Sequence, residues 1–228
     1  MSCPLVLGQT YLAPVLPAYL AKYPKVNLII EPTDREVDLI EERFDLALFA
    51  RPYSSTSGGL VVKQLESARR ILVASPAYLN SSGRVLSPEA LPDRATLGRL
   101  DDLRDGLVRW ELVDRRGTGA VINHVPRLLT NDLRLQFETV ISGIGIALLP
   151  EPIIANSIKS NLLEQVLPGW TAVPNLLYLA YPSPRGILPS VRSLLDHLTE
   201  QLPLVIQARS IIADTVLSGV VPTMPDIA

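Results

Sequence analysis

The segment NDLRLQFETVISGIGIALLP, residues 131–150, decides the fold class. Asn131 or Asp132 can cap a helix at its start, and Gly143 can end it. The apolar run Gly145–Leu149 follows at once and is typical of a buried strand. Apolar residues recur in the helix at the spacing of one buried face: Leu133, Phe137, Val140 and Ile141. A helix that leads directly into a buried strand predicts an α/β protein.

Gly143 and Gly145 do not form a dinucleotide-binding loop. They follow a helix and precede a strand, whereas a phosphate loop needs the opposite order, and Leu148 stands where a third glycine or alanine is required. A helix end followed by tight entry into a strand explains both glycines.

The flanking sequence repeats this alternation. Towards the N-terminus, strands are predicted at Leu5–Leu7, Val26–Ile30 and Leu46–Phe49. A helix from Leu12 to Tyr23 should be irregular because it contains two prolines, and a second helix should be capped by Asp34. Strands joined by helices predict a parallel sheet that is covered on both faces.

The remaining segments follow the same rules, with an irregular turn at Ser54–Gly59. The further predicted strands are Leu60–Leu65, Arg70–Ala74, Leu107–Val113, Ala120–Leu129, Leu162–Val166 and Leu176–Tyr181. The further predicted helices are Pro76–Asn80, Pro88–Leu91, Ile153–Ser157 and Leu188–Leu202.

The composition is that of a globular protein that should bind DNA poorly by itself. Of 228 residues, 47% are hydrophobic and 19% charged, and 21 Lys and Arg face 23 Asp and Glu, so the positive excess that phosphate contacts need is missing. One cysteine, Cys3, agrees with a reducing compartment. The N-terminus shows no secretory signal, and the apolar run Ile211–Val221 is too short to span a bilayer. We therefore expect a cytoplasmic protein without a membrane partner.

The sequence predicts neither an enzyme nor a metal or cofactor site. His124, His197 and Cys3 have no metal-ligand spacing and no partner pattern for nucleophilic catalysis. The neighbouring charges in Asp101–Asp102 and Arg115–Arg116 are interpreted as solvated surface. Trp110 belongs either to the core or to the wall of a pocket.

Six segments, spread in order over most of the chain, resemble one family. They are Leu12–Pro24, Asp38–Ala47, Leu72–Leu79, Gly143–Pro150, Leu167–Trp170 and Tyr181–Ser183. Each is weak alone, but the ordered set resembles the effector-binding domain of LysR-type transcriptional regulators.

This resemblance implies two Rossmann-like α/β lobes of the periplasmic-binding-protein type II kind, joined by two crossover segments. Lobe one would comprise residues 1–74 plus 176–208, and lobe two residues 75–175, with a C-terminal tail at 209–228. A small-molecule effector would lie between the lobes. A small carboxylate is one ligand class, since helix N-termini at such clefts offer donors to anions.

The resemblance also places the effector-binding residues in this cleft: Val6, Leu7, Gly8, Thr10, Thr33, Ala50, Arg51, Trp110 and Asn131. Thr33 and Asn131 have the alternative role of capping helices. Val6 and Leu7 are apolar where many relatives carry serine and phenylalanine, which departs from a strongly polar site.

Members of the family assemble as homodimers or homotetramers, in which a lobe-one helix meets a lobe-two helix of the partner. The resemblance places this interface at Leu12, Leu16, Tyr19 and Leu135. DNA would be bound only through an N-terminal winged helix-turn-helix, which precedes the region of the family that this sequence matches. We have no account of the tail.

Two other classes of function compete with this interpretation. A free-standing solute-binding protein of a transport system shares the two-lobe plan, but an exported precursor would carry a signal peptide. An enzyme on an α/β scaffold would need a nucleophile, a metal set or a phosphate loop, and the sequence presents none of these patterns.

Overall fold

The computed structural model describes residues 1–51, 59–182 and 187–208. The predicted turn at Ser54–Gly59, except its last residue, and the tail at 209–228 lie outside the described residues.

The described residues form strands and helices in alternation. The strands are β1 (Ser2–Cys3), β2 (Glu31–Pro32), β3 (Ala47–Arg51), β4 (Leu60–Ala68), β5 (Arg70–Ala74), β6 (Thr96–Gly98), β7 (Leu103–Arg104), β8 (Leu107–Asp114), β9 (Gly119–His124), β10 (Leu128–Leu129), β11 (Ile146–Pro150), β12 (Glu164–Gln165), β13 (Trp170–Ala172) and β14 (Asn175–Pro182). The helices are α1 (Leu5–Leu7), α2 (Ala13–Lys22), α3 (Pro76–Ser82), α4 (Leu133–Ile141), α5 (Glu151–Lys159) and α6 (Pro189–Ala208), with short 3-10 turns at Pro88–Ala90 and Leu100–Asp102.

Two mixed sheets divide the molecule into two lobes. The first sheet has the order β2-β1-β3-β14-β4, with β1 parallel to its neighbours and β14 antiparallel to β3 and β4. The second has the order β10-β6-β11-β5-β12, with β6 parallel to its neighbours and β5 antiparallel to β11 and β12. A small antiparallel sheet of β13, β8 and β7, with β9 paired to β8, packs beside the second sheet. The predicted parallel pairing is therefore confirmed for β2-β1-β3 and β10-β6-β11. It is wrong for β14 and β5, which each enter a sheet after a crossover and run against their neighbours.

The chain passes between the lobes twice. Arg69 alone separates β4 in the first sheet from β5 in the second, and residues 173–174 separate β13 from β14 on the return. The predicted boundary at residue 74 is thus one strand late. Apolar periodicity marks Arg70–Ala74 as a buried strand, but it does not indicate which sheet the strand joins.

Lobe two packs a core on each face of its sheet. Alternate residues of β5 point to opposite faces, so Leu72 and Ala74 belong to one cluster while Ile71 and Val73 belong to the other. Lobe one packs α2 and α6 against its sheet. The Tyr19 hydroxyl ties the two helices together through contacts with the Ser190 carbonyl and the Ser193 hydroxyl at 3.0 and 2.9 Å.

The first helical segment differs from the prediction. Leu5–Leu7 is helical rather than extended and continues through a π-helical turn, Gly8–Leu12, into α2. Three apolar residues are too few for periodicity to distinguish a strand from a helix. The expected irregularity is confirmed: the widened turn comes directly before Pro14, which lies in the first turn of α2, and α2 ends before Pro24.

The predicted helix after Asp34 is wrong. Residue 35 is a bend, residues 36–38 are irregular and only residues 39–43 form turns. Asp38 rather than Asp34 accepts from the backbone there, through the amides of Ile40 and Glu41. Arg43 adopts a positive φ of 57°, which ends any helical run there. The strand predicted at Val26–Ile30 is displaced as well, since only Glu31–Pro32 pairs with β1.

Candidate functional site between the lobes

A cavity of about 150 Å³ lies between the two lobes, beside both crossovers. Its lobe-one wall consists of Pro4, Val6, Leu7, Thr10, Tyr11, Asp34 and Ala50. Its lobe-two wall consists of Arg70, Arg99, Asp101, Asn131, Leu133, Pro150, Pro152 and Ile153, and Asn175 enters from the second crossover. The cavity is smaller than the ~300 to 1,000 Å³ of most ligand sites, so it suits a compact molecule.

The lobe-one wall is mainly apolar. The helical turn after β1 presents Val6 and Leu7, and Ala50 comes from β3 at the centre of the first sheet. Thr10, from the π-helical turn, adds a largely buried polar side chain, and Asp34 adds a carboxylate two residues after β2. This wall can cover the apolar part of a ligand.

The lobe-two wall is built from ion pairs. Arg70, the first residue of β5, donates from Nη1 to Asp102 Oδ2 at 2.6 Å, and the side chains are only 12% and 13% exposed. Arg99 pairs with Asp101 in the same turn. The Leu100–Asp102 turn thus holds both guanidiniums at the cavity.

Asn131 joins this wall to α4. Its Nδ2 donates to Asp101 Oδ1 at 2.9 Å, and its Oδ1 accepts from the Asp101 amide at 3.2 Å. The next residue, Asp132, caps α4 by accepting from the amides of Arg134 and Leu135. Of the two caps that the sequence allows, the structure therefore uses Asp132, and Asn131 is left to face the cavity.

Two buried donors on this wall have no acceptor among the described residues. They are the Nε atoms of Arg70 and Arg99. A guanidinium carries five N–H donors, and a buried donor without a partner costs about 1–3 kcal/mol. These two Nε atoms are closed off from the cavity, so the spare donors of this wall are the Nη groups that the aspartates leave unused.

The structure brings five of the nine predicted effector residues together. Val6, Leu7, Thr10, Ala50 and Asn131 all line the cavity between the lobes. Their prediction as effector-binding residues remains a proposal.

Three other predicted residues lie nearby but outside this cavity. Gly8 is in the π-helical turn, where an added Cβ would lie 3.7 Å from Cys3 Sγ. Thr33 and Arg51 line a second cavity of about 660 Å³ within lobe one, where Arg51 pairs with Glu36 at 2.8 Å.

Trp110 does not line the cleft, so this part of the prediction is wrong. Its side chain is 1% exposed and belongs to the lobe-two core, with its ring edge-on to His124 at a centroid distance of 4.2 Å. The alternation of buried and exposed residues along β8 turns position 110 inward. Burial lowers the pKa of His124, and the charge of Asp102 opposes this shift.

The sequence reasoning missed the charged wall. The prediction of solvated surface is confirmed for Asp101, whose side chain is 57% exposed although it also lines the cavity. It is wrong for Asp102, which is 13% exposed and pairs with Arg70. A charge directly before the buried strand Ile71–Ala74 was the available signal for Arg70. Nothing local indicated its partner, which lies 32 residues further along the chain.

Two predicted interface residues are wrong because they lie inside lobe one. Leu12 and Tyr19 are buried in the core between α2 and α6, so a partner subunit has no access to their side chains. Leu16 is half-buried against the same core, whereas Leu20 on α2 and Leu135 on α4 are exposed, at 41% and 48%. The spacing of four and three residues that places Leu12, Leu16 and Tyr19 on one helix face identifies the face that packs inward.

The candidate nucleophile and the two histidines do not converge. Burial raises the pKa of the Cys3 thiol to about 12, so it stays protonated at neutral pH. His197 contacts the Val15 carbonyl at 2.9 Å in lobe one, while His124 lies in the lobe-two core. Within residues 1–51, 59–182 and 187–208, no three His, Cys, Asp or Glu side chains are grouped so that they could hold a metal ion.

No helix in the described part of the chain has the length and apolar character needed to cross a membrane.

Comparison with known proteins identifies the family. The family model for the LysR substrate binding domain matches residues 1–203. The chain therefore belongs to this family, and its two lobes have the periplasmic-binding-protein-like fold of LysR-type regulatory domains.

The individual relatives are transcriptional regulators. The chain is 29% identical over 205 residues to the HTH-type transcriptional regulator PtxR of Pseudomonas aeruginosa, covering 89% of this chain and 63% of that protein. It is 26% identical over 206 residues to the probable HTH-type transcriptional regulator LtrA of Klebsiella pneumoniae, covering 89% and 65%. The chain thus spans less than two thirds of the length of these relatives.

A solved regulatory domain has the same fold. The regulatory domain of CrgA, a LysR-type transcriptional regulator from Neisseria meningitidis, superposes with a TM-score of 0.73 at 26% identity, covering 88% of this chain and 96% of that one. These relatives favour a regulatory domain over a transport protein.

Proposed function

We propose that this chain senses a small metabolite in the cavity between its lobes and thereby controls transcription as part of a LysR-type regulator. The observation that carries the proposal is the cavity itself, which has an apolar wall from one lobe and a charged wall from the other. It acts by binding its ligand, without transforming it. We place the protein in the cytoplasm, where its DNA target lies.

The position of the cavity supports a mechanism of lobe closure. Arg70 begins the strand that follows the first crossover, and Asn175 begins the strand that follows the second. A ligand that contacts both walls binds one lobe arrangement more tightly than others, and this difference shifts the population towards that arrangement. DNA would be bound by the winged helix-turn-helix of the complete regulator.

Assembly as a homodimer or homotetramer would transmit the change. Leu20 on α2 and Leu135 on α4 are the large apolar side chains that these helices expose to a partner. We propose that α2 of one subunit meets α4 of another. In this proposal Leu135 stays in the interface, as predicted. The outward face of α2 takes the place of Leu12 and Tyr19.

A thermal-shift screen of the 228-residue chain tests effector binding. Small carboxylates, amino acids and aromatic acids are added separately, because a ligand that binds only the folded state raises Tm. Val6→Trp fills the cavity from the half-buried lobe-one wall and should abolish the shift. Val121→Trp, at an exposed position on β9, is the matched control and should leave it intact. A shift that survives Val6→Trp would place the ligand elsewhere and refute the proposal.

A further inference from the structure

The charges around the cavity restrict the ligand more than its shape does. Two guanidiniums, of Arg70 and Arg99, line the cavity, together with the carboxylates of Asp34 and Asp101. Asp102 adds a third carboxylate through its pair with Arg70. Three carboxylates against two guanidiniums leave the site with a negative excess, which opposes the entry of a simple anion.

The two walls differ in what they still need. On lobe two, each guanidinium gives one Nη to its aspartate, and its other Nη has no acceptor in the described chain. On lobe one, Asp34 makes no salt bridge with any described residue. The lobe-two guanidiniums can therefore bind an acceptor of the ligand, and the Asp34 carboxylate on lobe one can bind a cation.

We propose that the ligand is an apolar α-amino acid, with its carboxylate on Arg70 and Arg99 and its ammonium on Asp34. This inference rests on the proposed function and names the ligand class of the same cavity. A zwitterion supplies an acceptor and a cation at once, without adding net charge to a site that is already negative. The side chain of the amino acid packs on Val6, Leu7 and Ala50, and the small volume limits its size.

Removing one group from the ligand at a time tests the proposal. L-Alanine, L-valine, L-leucine and L-methionine are each compared with the matching deaminated acid and decarboxylated amine, by thermal shift and calorimetry on the 228-residue chain. We expect at least one amino acid to bind, and its acid and its amine to bind roughly tenfold or more weakly, because each leaves one charged wall without a partner.

A variant of Asp34 should change the ratio of the affinities for the amino acid and its deaminated acid. A purely structural role of Asp34 would leave this ratio unchanged. Asp34→Asn should weaken binding of the amino acid roughly tenfold or more, because its ammonium loses a carboxylate partner. The same variant should bind the deaminated acid about as tightly as the amino acid, because the Asp34 carboxylate no longer repels the acid. Glu36→Gln removes a carboxylate two residues away that lines only the second cavity, and it should change neither affinity. Asp34 is exposed, so both variants should fold.

The outcomes separate this inference from the proposed function. If an acid binds as tightly as its amino acid, or if Asp34→Asn leaves their ratio unchanged, the zwitterion is refuted while the cavity remains an effector site. If none of the four amino acids binds, the inference is also refuted. The wider screen with Val6→Trp then decides the proposed function independently.

Discussion

Asn131 and Asp101 hold each other through a reciprocal pair of hydrogen bonds, side chain to side chain at 2.9 Å and side chain to backbone at 3.2 Å. Asp101 belongs to the turn that carries the arginine partners, and Asn131 directly precedes the cap of α4. The wall of the cavity and the start of α4 therefore form one hydrogen-bonded unit.

Asn131→Ala removes both bonds and should lower the free energy of unfolding by about 1 kcal/mol. Asn131→Asp should be worse, because it places a second carboxylate against Asp101. Urea denaturation measures both changes. Asn123→Ala, at an exposed position on β9, serves as the control and should have little effect. Equal stability of all three variants would show that the pair does not fix the start of α4.

Arg70→Gln should lower the free energy of unfolding by about 2–3 kcal/mol, because it leaves the nearly buried Asp102 carboxylate without its cation. The double variant Arg70→Gln/Asp102→Asn should recover part of the loss, and a double-mutant cycle gives the coupling. Arg84→Gln is the matched control: its pair with Glu164 at 2.7 Å is more exposed, so the variant should be nearly neutral. If the double variant recovered no stability, the loss in Arg70→Gln would not come from the unpaired Asp102 carboxylate.

Gly145→Ala should destabilise the protein by about 2 kcal/mol or more, or prevent folding, because the new Cβ would lie 2.5 Å from the Ala95 carbonyl oxygen. Relief would require β6 and β11 to separate where Ile146 donates to that same carbonyl at 2.9 Å. Gly119→Ala, whose nearest neighbour would be 4.0 Å away, is the control. Thermal unfolding compares the two, and similar midpoints would show that the close approach is absent.

His124 should make stability depend on pH on the acid side. Burial holds its pKa in the folded protein below the ordinary 6.5, so the unfolded chain takes up this proton more readily. Its contribution is present above pH ~6.5 and is lost as the pH falls from there towards the lower folded-state pKa. Urea denaturation between about pH 5 and 8 measures the effect. His124→Leu should flatten this part of the profile, and an unchanged slope would mean that another group titrates there.

Local sequence predicted the segment around α4 and β11 well. Asp132 is the cap, Gly143 ends the helix with a positive φ of 80°, and the apolar run after Gly145 is a buried strand. These features follow from capping, backbone freedom and apolar spacing within about twenty residues. The same rules failed at Leu5–Leu7 and after Asp34, where the apolar pattern is short and the neighbouring chain decides the conformation.

The sequence predicted some of the residues that line the cavity and misplaced others. The resemblance to the family located Val6, Leu7, Thr10, Ala50 and Asn131 at the cavity. It also pointed to Trp110, which β8 turns into the core.

By itself, the sequence determined that this is an α/β regulatory domain, because apolar spacing, caps and the order of the family segments are properties of the chain read along its length. Only the tertiary structure decided that Arg70 meets Asp102 and that Asn131 meets Asp101. These partners are 32 and 30 residues apart, and the packing of β5, β6 and β10 into one sheet, together with the turn that follows β6, brings them together. Charge pairing depends on distance in space, and no local pattern of residues records that distance.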